Sequence, residues 1–161
     1  MDVVILAVGL GRRLKGFTSY RPKSMVQVSG KTLIDHSLSF IDFQRVSKVY
    51  VIGGYQSGVL KAHLAKYENQ VQFVENPDYQ AGSVLTVEKV LPWIQGSFLL
   101  MNVDHIYPRK MFEKILDNLS DQEMIAMADS DRSLVADDMK IHFRSGGVIG
   151  KISKQLEEYE S

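Results

Sequence analysis

The chain has 161 residues, 45% of them hydrophobic, which suits one soluble domain with a substantial core. Basic and acidic residues number 19 each, so the formal charge is zero and no global field selects nucleic acid or an acidic membrane surface. Cysteine is absent, which excludes disulfides, thiolate metal sites and a cysteine nucleophile, and fits a reducing, cytoplasmic compartment.

In chain order, the apolar run 3–8 follows Asp2 rather than a basic segment and is broken by Gly9 and Gly11. It is predicted to be a strand buried on both faces, not a signal peptide or a membrane span, and no other stretch is long enough to span. Residues 9–23 form a basic, glycine-containing loop. Leu33, Ile34, Ser37, Leu38 and Ile41 then recur at helical spacing behind Thr32, a fitting N-cap. A strand over 49–52 ends at Gly53-Gly54, and Val59, Leu60, His63, Leu64 and Tyr67 mark the next helix face. A third strand is predicted over 71–74, a helix capped by Ser83 and running to about Leu91, and a fourth strand over 98–101 leading to Asp104. Met111, Phe112, Ile115, Leu116 and Leu119 mark a further helix, and 124–127 reads as one more strand. Residues 139–143 and 148–152, separated by Arg144-Ser145-Gly146-Gly147, read as a hairpin. No repeat, low-complexity tract or interdomain linker appears. Alternation of strand and helix predicts an α/β fold: a three-layer, doubly wound, mostly parallel, Rossmann-like sheet binding ligands at the carboxyl ends of its strands.

The chemistry concentrates early. Gly9-Leu10-Gly11 follows the first strand, where bare backbone N–H groups can approach phosphate oxygens. Up to Lys31, the cations Arg12, Arg13, Lys15, Arg21, Lys23 and Lys31 face a single acid, Asp2. A triphosphate suits this excess, although a strand-to-helix turn with solvated cations has the same composition. The dinucleotide fingerprint fails because Leu14 stands where a third glycine is required. Gly30-Lys31-Thr32 imitates the end of a Walker A loop, but its first glycine would fall at Met25, so this segment reads as a turn into a helix.

Taken together, Leu6-Ala7-Val8-Gly9-Leu10-Gly11-Arg12-Arg13-Leu14, then Thr18, Pro22-Lys23 and Val28-Ser29-Gly30-Lys31-Thr32-Leu33-Ile34 resemble the opening of nucleotidyltransferases of the glycosyltransferase-A-like fold. The resemblance implies that Leu6, Ala7, Gly9, Gly11, Arg12 and Arg13 border the nucleotide, with Gly9, Gly11 and Arg13 on the triphosphate. It implies that Lys23 neutralises charge on the α-phosphate and the attacking phosphate. Arg12 stands where the family usually has Ser or Thr, and Thr32 replaces its usual proline.

Farther on, Asn76-Pro77-Asp78-Tyr79 with Gly82-Ser83 resembles the segment beside the nucleotide in choline-phosphate and inositol-phosphate cytidylyltransferases. Asn102-Val103-Asp104-His105-Ile106-Tyr107 resembles their metal segment. Asn76, Gly82 and Ser83 are thereby implied as nucleotide-binding, and Asp104 as the Mg²⁺ ligand. Asp137-Asp138-Met139-Lys140, Gly147 and Ile152-Ser153-Lys154 resemble the stretch beyond the metal site, with Lys154 implied to touch the acceptor. The family usually continues for several tens of residues, completing the acceptor pocket and adding a second acidic metal ligand. Residues 1–161 are therefore expected to form a nucleotidyltransferase domain truncated at its C-terminal end, with a homodimer as one way to cover the opened face.

Nucleotidyl transfer needs no side-chain nucleophile, because the acceptor phosphate attacks the α-phosphorus and pyrophosphate leaves. The protein aligns two anions and spreads developing charge, with Arg13, Lys23 and Asp104 as the catalytic set. By position alone Asp104 could instead cap a helix near Pro108, His105 could touch phosphate or orient the Asp104 loop, and Lys154 could be a surface lysine. Asp137 and Asp138 read most simply as a solvated turn, and His36, His63 and His142 lie on separate elements, against a zinc cluster. The leading expectation is transfer of a nucleotidyl group, CMP favoured, from a nucleoside triphosphate such as CTP to phosphocholine, inositol phosphate or a sugar 1-phosphate. The alternatives are a nucleotide-binding module without catalysis and an α/β scaffold for partner binding. Nucleic acid and membrane are not expected partners.

Overall fold

The computed structural model describes residues 1–11, 21–119, 124–128, 133–135 and 138–156. Arg12, Arg13, Lys15, Thr18 and Asp137, singled out above, lie outside these residues. The chain divides into two compact units, Met1–Glu123 and Met124–Ser161.

The first unit is built on four parallel strands: β1 (Asp2–Ala7), β4 (Val49–Gly53), β5 (Val71–Glu75) and β6 (Phe98–Asn102), in the order β5-β4-β1-β6. Every residue of β1 is buried, as its uninterrupted apolar run requires of a strand covered on both faces. Side chains alternate across it. Val3, Ile5 and Ala7 pack with Leu33, Ile34 and Leu38 of α1 (Leu33–Phe40), Leu60 and Leu64 of α2 (Ser57–Leu64) and Phe112 of α4 (Arg109–Asp117). Val4 and Leu6 face the other way, onto Tyr50, Ile52, Val74 and Val90, with Val87 of α3 (Ser83–Glu88) against them. Helices thus cover both faces, giving the expected three layers. Each fully buried aliphatic side chain contributes about 1.5–3 kcal/mol.

A short antiparallel pair, β2 (Gln27–Val28) and β3 (Lys31–Thr32), precedes α1 and turns at Ser29 and Gly30, both at positive φ. This is the turn into a helix expected for Gly30-Lys31-Thr32. Thr32 caps α1: its hydroxyl accepts from the Asp35 N–H at 3.2 Å and donates to the Asp35 carboxylate at 2.7 Å.

The structure corrects four local expectations. Ser83 is not the cap of α3; Gly82 holds that position at φ +115, ψ 168, a conformation open to glycine alone, and the helix ends at Glu88. A separate 3-10 turn, Leu91–Trp93, follows with Pro92 inside it. Residues 124–128 form no strand, because an extended segment becomes one only by pairing and no ladder among the described residues includes them. Val59, assigned to a helix face, is 43% exposed beside the buried Leu60, and Leu119, assigned to the face of α4, lies past its end at Asp117 and is 45% exposed.

In the second unit, β7 (Lys140–Arg144) and β8 (Val148–Ser153) form the expected antiparallel hairpin, turned by Gly146 and Gly147 at positive φ. Lys154, read as a strand residue, lies one position past β8. Among the described residues no helix is long and apolar enough to cross a membrane.

Candidate functional site

The sheet order places β1 beside β6, and the register sets Leu6 opposite Asn102. One residue later the ladder is extended by the Val103 N–H, which donates to the Leu6 carbonyl at 3.1 Å. The chain after β1 and the chain after β6 therefore leave the sheet together at its carboxyl end. Gly9 and Gly11 belong to the first of these segments, and Asp104 to the second.

Lys23 closes the loop back onto that point. Its N–H donates to the Gly9 carbonyl at 3.4 Å, and its ammonium donates to Asp104 Oδ2 in an ion pair between residues 81 positions apart. The second Asp104 oxygen, Oδ1, lies 3.1 Å from His105 Nδ1. The His105 ring stacks on Tyr107 with centroids 5.7 Å apart, and Tyr107 packs on Phe40 at 5.3 Å. His105 therefore orients Asp104, supported from the core of α1. Burial pushes the Asp104 carboxyl up, but the Lys23 hydrogen bond and charge, with the charge of His105, outweigh it and hold the group below its ordinary range. The N-cap of α4 is Pro108, with no side-chain cap, so the capping alternative for Asp104 does not apply.

The remaining sequence-derived residues divide by environment. Leu6 and Ala7 are buried, so their side chains form the floor of the sheet. Gly11 has φ +64, in the left-handed region. Ser83 opens α3 and is exposed. Asn76 is fully buried: its N–H donates to the Gly53 carbonyl at 2.8 Å, its Oδ1 accepts from the Asp78 N–H at 3.0 Å, and its Nδ2 donates to Thr86 Oγ1 at 3.0 Å. Thr86 Oγ1 donates in turn to the Gly82 carbonyl at 2.9 Å. Asn76 thus acts on Gly82 through Thr86, a residue that sequence reasoning passed over; its only signal was a small hydroxyl on the inward face of α3. Lys154 belongs to the second unit. Asp138 accepts from the Val135 N–H at 2.9 Å, as a turn carboxylate does.

A second polar cluster centres on Asp35, which sequence reasoning also missed. Its Oδ1 accepts from Tyr67 at 3.2 Å and from His63 Nε2 at 3.0 Å and pairs with Lys66 at 3.1 Å. With Thr32 on Oδ2, Asp35 has one donor from its own helix end and three from α2 and the segment after it, and together they drive its carboxyl far below its ordinary range despite its burial.

Among the described residues no three or more His, Asp or Glu side chains gather as a ready-made metal cage. A divalent cation at this site would find one carboxylate, Asp104, and take the rest of its shell from phosphate and water. That donor set fits Mg²⁺, a hard ion that keeps several waters and uses one or two carboxylates beside substrate phosphates.

Residues 3–142 match the family of the MobA-like NTP transferase domain. The chain belongs to that family. Its MobA-like domain is 32% identical over 123 residues to the bifunctional protein GlmU of Methanococcus maripaludis, covering 76% of this chain and 28% of that protein. It is 36% identical over 76 residues to the CTP:phosphoglutamine cytidylyltransferase of Campylobacter jejuni, covering 47% of this chain and 30% of that enzyme. The inositol-1-phosphate CTP transferase structure from T. maritima shares the fold at a TM-score of 0.77 and 18% identity, over 99% of this chain and 66% of that one. The MobA-like assignment bears out the expected nucleotidyltransferase resemblance and the glycosyltransferase-A-like α/β fold.

Proposed function

We propose that this MobA-like domain holds a nucleoside triphosphate over the carboxyl ends of β1 and β6 and transfers its nucleotidyl group, CMP by preference, to a small phosphorylated acceptor. The observation that carries this reading is the ion pair between Lys23, anchored at the glycine loop, and Asp104, at the end of β6. A cation and an anion held at one strand-end crevice are what a triphosphate and its counter-ion require. The preference for CTP is supported by the relative from Campylobacter, a CTP:phosphoglutamine cytidylyltransferase.

The acceptor phosphate oxygen forms a bond to the α-phosphorus while the bond from that phosphorus to the bridging oxygen breaks, and pyrophosphate departs with the electron pair. Backbone N–H groups at Gly9 and Gly11, with Arg12 and Arg13, bind the triphosphate. Lys23 neutralises the α-phosphate and the incoming acceptor, bringing together two anions that otherwise repel. His105 holds the Asp104 carboxylate in orientation. The Asn76–Thr86–Gly82 chain braces the segment beside the nucleotide, where Gly82 and Ser83 meet it. Mg²⁺ held by Asp104 would supply charge neutralisation and phosphate orientation.

Pyrophosphate release tests this proposal across CTP, ATP, GTP and UTP against phosphocholine, inositol phosphate and sugar 1-phosphates. Release that is fastest with CTP is expected. Nucleotide binding without release from any pair would leave a binding module, and no nucleotide binding at all would overturn the reading. A homodimer is part of the proposal and is tested by the mass in solution from light scattering.

A further inference from the structure

Resting on that reading of the site, we propose that Lys23 occupies the divalent cation's place on Asp104 until a triphosphate draws it away, so that cation and nucleotide enter as a coupled pair. Both carboxylate oxygens of Asp104 are engaged, Oδ2 by the Lys23 ammonium and Oδ1 by His105. An ammonium in contact with an oxygen and a divalent ion bound to the same group repel each other strongly, the more so because the site is partly shielded from water. The Lys23 and Asp104 side chains are only 26% and 33% exposed. A divalent ion arriving alone must therefore expel Lys23 and leave a half-buried ammonium facing it without a counter-charge. That arrangement is costly, so the Lys23–Asp104 pair persists while no triphosphate is bound.

The geometry also provides the release. The Lys23 backbone is tied to Gly9, inside the segment assigned to the triphosphate, and its side-chain stem runs along that glycine: a Cβ on Gly9 would lie 3.6 Å from Lys23 Cδ. A phosphate seated at the glycine loop thus offers the ammonium a new partner within reach of side-chain rotation, with no movement of the backbone. Lys23 transfers from carboxylate to phosphate, and Asp104 Oδ2 is vacated for the cation that the same triphosphate brings. Lysine suits this exchange because its ammonium is a compact point charge on a flexible stem. By linkage, each ligand strengthens the other by the same factor.

The experiment measures Mn²⁺ binding by electron paramagnetic resonance in the full chain, with and without the non-hydrolysable analogue α,β-methylene-CTP. In the wild type, Mn²⁺ affinity is expected to rise about 5- to 150-fold when the analogue is present, the ordinary range for coupled sites. Lys23→Met, which keeps the length of the stem and removes the charge, is expected to bind Mn²⁺ more tightly than the wild type without nucleotide and so to show a smaller nucleotide-dependent gain, the part that remains coming from the phosphate oxygens. Lys23→Met combined with Asp104→Asn is expected to abolish the acquired binding, assigning it to this carboxylate. Equal Mn²⁺ affinity in the wild type with and without bound analogue would overturn the exchange, and this comparison needs no variant to fold. Unchanged nucleotide-free affinity in a folded Lys23→Met protein would overturn it as well. Failure of the wild type to bind the analogue at all would overturn the nucleotide reading and the exchange with it, so the two failures are told apart.

Discussion

The Val103 N–H donates to the Leu6 carbonyl across 3.1 Å, one step beyond the last paired residues of β1 and β6. This bond fixes where the two chains leave the sheet, and so how far the glycine loop stands from Asp104. Because both partners are backbone groups, the spacing is a property of the register rather than of any side chain.

The glycine loop should carry the triphosphate. Gly11→Val places a β-branched residue at φ +64, a strained conformation, and Arg13→Ala removes a charged donor. Charged hydrogen bonds of this kind are worth about 1.5–3 kcal/mol, so CTP binding should weaken roughly ten- to hundred-fold in each variant. Calorimetry checks this, and unchanged affinity in both variants would take the loop out of the site.

Asp104→Asn preserves shape while removing the charge that attracts a divalent ion. Nucleotide affinity in the variant should respond little to Mg²⁺, whereas that of the wild type should rise with it. A full Mg²⁺ effect in the variant would reassign the ligand.

The Asn76–Thr86–Gly82 chain gives a prediction about positioning. Thr86→Val keeps the volume but deprives the fully buried Asn76 amide of its partner, at a cost of about 1–3 kcal/mol in stability to urea. Nucleotide KM should rise more than kcat falls, because the Gly82 carbonyl loses the shorter of its two bonds to Thr86 and keeps only the backbone one at 3.2 Å. If stability and both kinetic constants stayed at wild-type values, the chain would not be a brace.

Asp35 predicts the acid limb of stability. Its folded pKa is depressed, so its contribution is fully present above the unfolded value, near 3.8, and is lost as pH falls below it toward the folded value. Urea midpoints measured from pH 7 down to pH 3 and below should fall for the wild type and fall less steeply for Asp35→Asn. That variant should also be less stable at pH 7 by about 1.5–3 kcal/mol. Parallel curves would show that another group controls acid unfolding.

The legible parts of this molecule were those determined by local chemistry. β1 announced itself by an unbroken apolar run, α1 by Thr32 before a helical repeat, and Asp104 by its place just beyond a strand. The illegible parts depend on partners distant in the chain or on a dihedral angle. Ser83 and Gly82 are both plausible caps as residues, and only the φ of Gly82 decides between them. The burial of Asn76 and its bond to Thr86, on the next helix, join residues ten positions apart and have no local signature. Asp35 looked like an ordinary first-turn acid until α2 and the segment after it brought His63, Lys66 and Tyr67 to it.

Among the described strands β6 pairs with β1 alone, whereas β1 is held on both sides. Edge strands open to solvent exchange more readily than central ones. Asp104 follows the strand that is paired on one side among the described residues and Gly9 the one paired on both, so the two strand ends are expected to differ in durability. Amide protons of β6 should therefore exchange with deuterium before those of β1, and the carboxylate half of the site should dissolve while the phosphate half is still folded.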